Sequence, residues 1–92
     1  MKQERVHLWI SGYVQGVSFR YYTRRQAALL GLAGWVRNLP DGRVEVVAEG
    51  TEGQLQELID WCHHGPSQAG VSGVEVRWEP YQGEFSRFVI SW

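Results

Sequence analysis

The sequence predicts an α+β fold in which an antiparallel sheet carries two helices on one face. Three observations predict it: short segments with alternating apolar residues, two segments with apolar residues at helical spacing, and the order of these segments. That order is βαββαβ followed by a short C-terminal strand. It is the split βαβ, or ferredoxin-like, arrangement, in which right-handed crossovers place both helices on the same side of the sheet.

A loop separates the first predicted strand from the first predicted helix. Apolar residues alternate with others from Val6 to Gly12, which is typical of a half-buried strand. The loop of residues 13 to 18 follows, and a helix is predicted from about Phe19 to Leu30, with Gly31 as its C-terminal cap signal. The predicted buried stripe of this helix consists of Phe19, Thr23, Ala27 and Leu30.

A hairpin is predicted next. Its two strands are Gly34 to Leu39 and Val44 to Glu49, joined by the turn Pro40-Asp41-Gly42. Proline presets one backbone dihedral and glycine accepts a positive one, so this tripeptide favours a tight connection. On the third strand we expect Glu45 and Glu49 to be exposed. The face opposite the helices needs its own cover, which Trp9, Trp35 and other aromatic residues are expected to supply.

The second half of the chain predicts a helix and two strands. Thr51 and Gln54 fit a capping box at the start of the helix, and Gly65-Pro66 ends it. Val74 to Trp78 alternates as a fourth strand, and Phe85 to Ser91 is predicted to form a short fifth one. The apolar stripe of this second helix consists of Leu55, Leu58, Ile59 and Cys62.

Length and composition limit the classes of protein that fit. The 92 residues suit one domain, residues 1–92, with a single core. The net charge of -1 supplies no strong field for nucleic acid or anionic lipid. The sequence contains no apolar run of membrane-spanning length, and residues 1–5 lack a signal-peptide core, so we expect a cytoplasmic protein. Cys62 is the sole cysteine, which excludes an intramolecular disulfide and a cysteine metal cluster.

The segment from Gly12 to Arg20 is a candidate anion site. It lies between a predicted strand and a predicted helix, contains two closely spaced glycines and ends in an arginine. Backbone N–H groups of a loop at a helix N-terminus favour an anion, and arginine adds a fork of donors suited to phosphate. A glycine loop in this position more often serves as a turn, so the interpretation needs support from elsewhere in the chain.

Two long segments stand out together. Residues 12 to 20 read Gly-Tyr-Val-Gln-Gly-Val-Ser-Phe-Arg, and residues 34 to 45 read Gly-Trp-Val-Arg-Asn-Leu-Pro-Asp-Gly-Arg-Val-Glu. This pair closely resembles the signature of the acylphosphatase family, and the resemblance continues through Leu30-Gly31-Leu32 and Gly65-Pro66 to cover nearly the whole chain. It implies hydrolysis of the carboxyl–phosphate bond of a small-molecule acyl phosphate, which gives a carboxylate and inorganic phosphate.

The resemblance also implies which residues take part. In this family the loop amides and the loop arginine hold the phosphoryl group, and an asparagine on the second strand orients the attacking water. The implied catalytic residues are Arg20 and Asn38. Ser18 need not be a nucleophile, and no metal or cofactor is implied. The residues implied to bind the substrate, mainly through their backbone, are Gln15, Gly16, Val17, Ser18, Phe19 and Arg20.

Two other classes of function remain as alternatives. A binding module would keep the fold and the anion loop without turnover, for instance as a carbamoyl- or acyl-phosphate-handling domain of a larger protein. An RNA-binding domain would use Trp9 on the sheet, but the near-neutral charge and the missing aromatic signature on the third strand disfavour it. We therefore expect an enzyme without nucleic-acid or membrane partners, and a monomer because the predicted domain is complete in itself.

Overall fold

The computed structural model describes residues 2–92. Two helices and five strands follow one another in the predicted order, and β1 and β4 extend beyond their predicted bounds. In chain order the elements are β1 (Gln3–Tyr13), α1 (Phe19–Leu29), β2 (Ala33–Asn38), β3 (Val44–Thr51), α2 (Glu52–Cys62), β4 (Gly70–Pro80) and β5 (Phe88–Ile90). In the part of the chain described, neither helix has the length and apolar character needed to cross a membrane.

The strands form one sheet in the order β4-β1-β3-β2-β5. The pairs β1–β3, β1–β4 and β2–β3 are antiparallel, whereas β5 runs parallel to β2. The prediction of an antiparallel sheet is therefore wrong at β5, and the sheet is mixed. The route of the chain explains this. β4 ends at Pro80, which pairs with Glu4, and β2 begins at Ala33 at the same end of the sheet. A chain that crosses the sheet at this end enters β5 in the same direction as β2.

Both helices pack on one face of the sheet, α1 mainly over β2 and β5 and α2 mainly over β1 and β3. Val6, Leu8 and Ile10 are fully buried there, as the alternating pattern predicted. On α1 the predicted stripe is confirmed for Phe19, Thr23 and Ala27, whereas Leu30 is partly buried at the helix end. The stripe on α2 is confirmed throughout, with Leu55, Leu58, Ile59 and Cys62 all buried.

The open face of the sheet carries a buried polar cluster. Glu45 and Glu49 are only 6% and 4% exposed, so the prediction that both are exposed is wrong. Glu45 accepts hydrogen bonds from His7 Nε2 and Arg37 Nε, each at 2.6 Å. Glu49 accepts from the backbone N–H groups of residues 82 and 84, at 2.9 and 3.1 Å. The segment that connects β4 to β5 therefore crosses this face and covers it.

Aromatic rings complete the cover, as predicted for Trp9 and Trp35. The Trp9 ring stacks on His7 with centroids 3.9 Å apart, and the guanidinium of Arg37 lies 5.0 Å from the centroid of the Trp35 ring. These rings and cations shield the carboxylate of Glu45 from water. They come from other strands, so the alternation of apolar and polar residues along β3 did not predict that Glu45 is buried.

Because Glu45 is paired, we expect it to make stability depend on pH in the acidic range. Burial raises its pKa, but the hydrogen bonds from His7 and Arg37 outweigh burial and hold the pKa below the ordinary value of 4.5. The unfolded chain then binds the proton more readily, so the stabilisation is present above 4.5 and is lost as the pH falls through the lowered pKa.

Urea unfolding at neutral pH and at a pH below 4.5 tests this expectation. Glu45→Gln should lose less stability on acidification than the wild type, whereas Glu57→Gln, at an exposed position of α2, should behave like the wild type. An equal loss in all three proteins would show that other carboxylates dominate the acid response.

Candidate active site

The loop between β1 and α1 has backbone N–H groups without a hydrogen-bond acceptor among the described residues. Gly16 has φ 77° and Ser18 has φ 62°, and these left-handed conformations bend the chain into the N-terminus of α1. Val14 and Val17 are buried in the core and fix the loop on both sides of Gly16. Among residues 2–92, no backbone or side-chain acceptor is found for the N–H groups of residues 16–20. The loop therefore presents free donors at the positive end of a helix dipole, an arrangement that binds anions.

Arg20 lies in the first turn of α1 and is partly buried. Its guanidinium carbon lies 4.3 Å from the centroid of the Trp92 ring, in a cation–π arrangement. Among the described residues, Arg20 forms neither a side-chain hydrogen bond nor an ion pair, so its donors remain available to a ligand. Trp92 gave no sign of such a role in the sequence, because a single aromatic residue far along the chain matches no local pattern.

Asn38 is the last residue of β2 and lies beside the loop. It lines a cavity of about 360 Å³ together with Gly16, Ser18, Phe19 and Arg20. Residues 12–20 and residues 34–45, the two segments singled out in the sequence, thus meet at one site. The remaining residues that line this cavity are Val14, Tyr21, Ile90 and Trp92.

Gln15 and Val17 do not line the cavity. The side chain of Val17 is buried in the core. The side-chain amide of Gln15 points away from the loop and donates to the carbonyl oxygens of Leu39 and Arg43, at 2.8 and 3.0 Å. These two bonds tie the anion loop to the β2–β3 turn, directly after Asn38. Gln15 is therefore placed to fix the position of Asn38 relative to the loop.

Gln15→Ala should accordingly reduce turnover more than stability. Leu39 O and Arg43 O each keep a backbone hydrogen bond within the turn, at 3.1 and 2.8 Å, so the stability loss should be about 1 kcal/mol. Turnover should fall by at least about tenfold, because a displacement of about 1 Å in a positioned group can cost a hundredfold. Steady-state kinetics and urea unfolding measure the two effects separately.

Gln56→Ala is the matched control, since the side chain of Gln56 hydrogen-bonds to exposed Asp60 on α2, away from the cavity. Unchanged kcat in Gln15→Ala would show that the contact between the loop and the turn does not position the site.

The other chemically reactive groups lie apart from this cavity. Burial raises the pKa of the Cys62 thiol to about 12, so the thiol stays protonated and unreactive within the α2 stripe. In residues 2–92, no three His, Cys, Asp or Glu side chains are grouped closely enough to hold a metal ion. The polar groups available at the cavity are therefore the loop N–H groups, the guanidinium of Arg20, the carboxamide of Asn38, and the hydroxyl groups of Ser18 and Tyr21.

Known proteins match this chain over nearly its full length. A family model described as acylphosphatase matches residues 6–90. An acylphosphatase of Chloroflexus aurantiacus is 58% identical over 88 residues, covering 96% of this chain and 96% of the relative. The crystal structure of acylphosphatase from Bacillus subtilis superposes with a TM-score of 0.93 at 36% identity, covering 97% of this chain and 99% of that chain.

A part of a larger protein is also similar. The crystal structure of full-length HypF in its phosphate- and nucleotide-bound form matches with a TM-score of 0.86 at 25% identity. The match covers 98% of this chain but only 12% of HypF, whereas 96% of the Chloroflexus relative and 99% of the Bacillus structure are covered. On the family model and on relatives of this similarity, the chain belongs to the acylphosphatase family.

Proposed function

We propose that the loop of residues 15–20, with Arg20 and Asn38, is the site at which this enzyme hydrolyses the carboxyl–phosphate bond of acyl phosphates. The products are a carboxylate and inorganic phosphate. The observation that carries the proposal is that free loop N–H groups, a free guanidinium and the carboxamide of Asn38 line one cavity. An anion site and a polar group for water are the two things that this reaction needs.

The phosphoryl group is bound by the loop. Its oxygens accept from the N–H groups of residues 16–20 and from the guanidinium of Arg20, at the positive end of the α1 dipole. These donors are fixed by the fold before the substrate arrives. They therefore stabilise the charge that spreads over the phosphoryl oxygens in the transition state without having to reorganise.

Asn38 orients the water. Its carboxamide oxygen accepts a hydrogen bond from the water and directs the water oxygen at phosphorus. The bond from the water oxygen to phosphorus forms as the bond from phosphorus to the acyl oxygen breaks, and the carboxylate leaves with the electron pair. Asparagine is too weak a base to take the water proton, so the proton goes to a phosphoryl oxygen of the substrate itself.

The reaction as proposed needs neither a metal nor a cofactor. A carboxylate is already a good leaving group, and the arginine and the amides neutralise the phosphoryl oxygens. The proposal also includes a cytoplasmic monomer whose required partner is the small-molecule acyl phosphate.

Hydrolysis of benzoyl phosphate by the purified protein in the presence of a chelator tests the proposal. We expect turnover well above the buffer rate and no stimulation by added divalent metal. Phosphate binding without turnover would overturn the assignment of the site and leave an anion-binding module. Turnover that requires metal would overturn the metal-free mechanism.

Ser18→Gly should leave turnover within a few-fold of the wild type. Ser18 contributes its backbone, its side chain makes no capping hydrogen bond, and glycine adopts its φ of 62° without strain. Steady-state kinetics with benzoyl phosphate measure the effect. A complete loss of turnover would instead identify Ser18 as the nucleophile of a phosphoseryl intermediate.

A further inference from the structure

A second cavity adjoins the proposed active site at Ile90 and Trp92. This cavity has a volume of about 290 Å³ and is lined by Arg24, Arg87, Phe88, Val89, Ile90 and Trp92. Ile90 and Trp92 also line the cavity that contains Arg20 and Asn38. The two cavities are therefore neighbours that share one apolar wall.

The second cavity contains two arginines that are free to bind a ligand. The arginines that form ion pairs within residues 2–92 are Arg5, Arg37 and Arg43, whereas Arg24 and Arg87 form none. Both are exposed, and the guanidinium carbon of Arg24 lies 5.7 Å from the centroid of the Tyr21 ring. The second cavity thus offers two positive charges and two sets of hydrogen-bond donors without an internal partner.

The position of Arg24 relates the second cavity to the first. Arg24 follows Arg20 by four residues, so the two side chains lie on the same side of α1, about 6 Å apart along its axis. Arg87 directly precedes β5 and lines the same cavity as Arg24. A group held by Arg24 and Arg87 would therefore lie one helical turn from a phosphoryl group held by Arg20.

We propose that the second cavity is a subsite for a carboxylate at the far end of the acyl group. The substrate class would then be acyl phosphates of dicarboxylic acids. The subsite rests on the function proposed above, because the phosphoryl end must be bound by the loop and Arg20. The acyl chain lies against Ile90 and Trp92, and its terminal carboxylate accepts hydrogen bonds from Arg24 and Arg87.

The expected gain is moderate because both arginines are exposed. An exposed ion pair contributes up to about 1 kcal/mol, which corresponds to about a fivefold change in affinity. Neutral acyl phosphates remain substrates, since their phosphoryl group is still held by the loop. The subsite should therefore show itself as a preference between substrates.

Benzoyl phosphate and 4-carboxybenzoyl phosphate form a matched pair of probes, because they differ by one carboxylate at the far end of a rigid ring. We expect wild-type kcat/KM to be higher for the carboxylated probe. Arg24→Gln and Arg87→Gln should each reduce that preference by about fivefold or less, and the double variant should abolish it. Arg25→Gln removes the same charge from the same helix at a position that lines neither cavity, and should keep the preference.

The outcomes separate the subsite from the proposed function. Turnover of benzoyl phosphate with equal preference in the wild type and the double variant would overturn the subsite alone. An equal loss of preference in Arg25→Gln would reduce the effect to general electrostatics and would overturn the subsite as well. Failure of the wild type to hydrolyse either probe would overturn the function and the subsite together.

Discussion

Arg20→Ala is expected to lower kcat/KM for benzoyl phosphate by about a thousandfold or more. The loss of one preorganised donor from an anion site costs about 100- to 1,000-fold, and Arg20 supplies both a charge and a fork of donors. The same variant should weaken competitive inhibition by inorganic phosphate, because the arginine holds the ground-state anion too. Steady-state kinetics with phosphate as the inhibitor measure both effects.

The fold should survive this change, because Arg20 is only partly buried and alanine favours the helix. Arg20→Lys keeps the charge but removes the planar fork, so it should recover phosphate inhibition in part and turnover poorly. Arg25→Ala, also on α1 but away from the cavity, should retain both properties. Near-normal turnover in a folded Arg20→Ala protein would remove Arg20 from the mechanism.

Asn38→Ala is expected to lower kcat by about 100-fold or more while inhibition by phosphate stays nearly unchanged. The alanine variant keeps the loop amides and Arg20, which bind the anion. It loses the carboxamide that directs the water, so the bound substrate is hydrolysed more slowly. Separate measurements of kcat and of the phosphate inhibition constant detect this split.

Asn38→Asp is the informative companion to the alanine variant. It nearly preserves the shape of the side chain but adds a negative charge beside the phosphoryl group, so it should impair both turnover and phosphate inhibition. Near-normal turnover in Asn38→Ala would mean that another group positions the water. An equal loss of turnover and phosphate affinity in Asn38→Ala would mean that Asn38 mainly binds the anion.

Local rules account for the parts of the fold that the sequence predicted well. Thr51 and Gln54 form the reciprocal capping bonds that their spacing indicated, at 3.0 and 3.3 Å, because a capping box involves only four consecutive residues. The alternation of apolar residues in β1 predicted the inward face of this strand because that pattern, too, involves only consecutive residues. Asn38 and Arg20 became candidates through whole motifs, since neither residue is distinctive by itself, and their roles stay predictions.

Other features depend on segments that lie far apart in the chain. Glu45 is buried because His7 and Arg37 meet it from neighbouring strands, and a period-two pattern contains no information about that partnership. The direction of β5 follows from where β4 ends in the assembled sheet. The side-chain role of Gln15 is hidden in the same way, because its acceptors lie in a turn 24 and 28 residues further on.

The position of β1 between β4 and β3 has a consequence for how the chain folds. Both partners of β1 follow it in the chain: Gln3 pairs with Thr51 on one edge of the strand, and Glu4 pairs with Pro80 on the other. During synthesis both edges of this strand stay open until most of the chain exists. Bringing strands together that are far apart in the sequence costs conformational entropy before the new contacts can offset that cost. A sheet of this connectivity therefore forms slowly compared with a helical bundle of equal size. The loop of residues 13–18, which follows β1, therefore takes its final conformation only late in folding, although its residues are synthesised before β3 and β4.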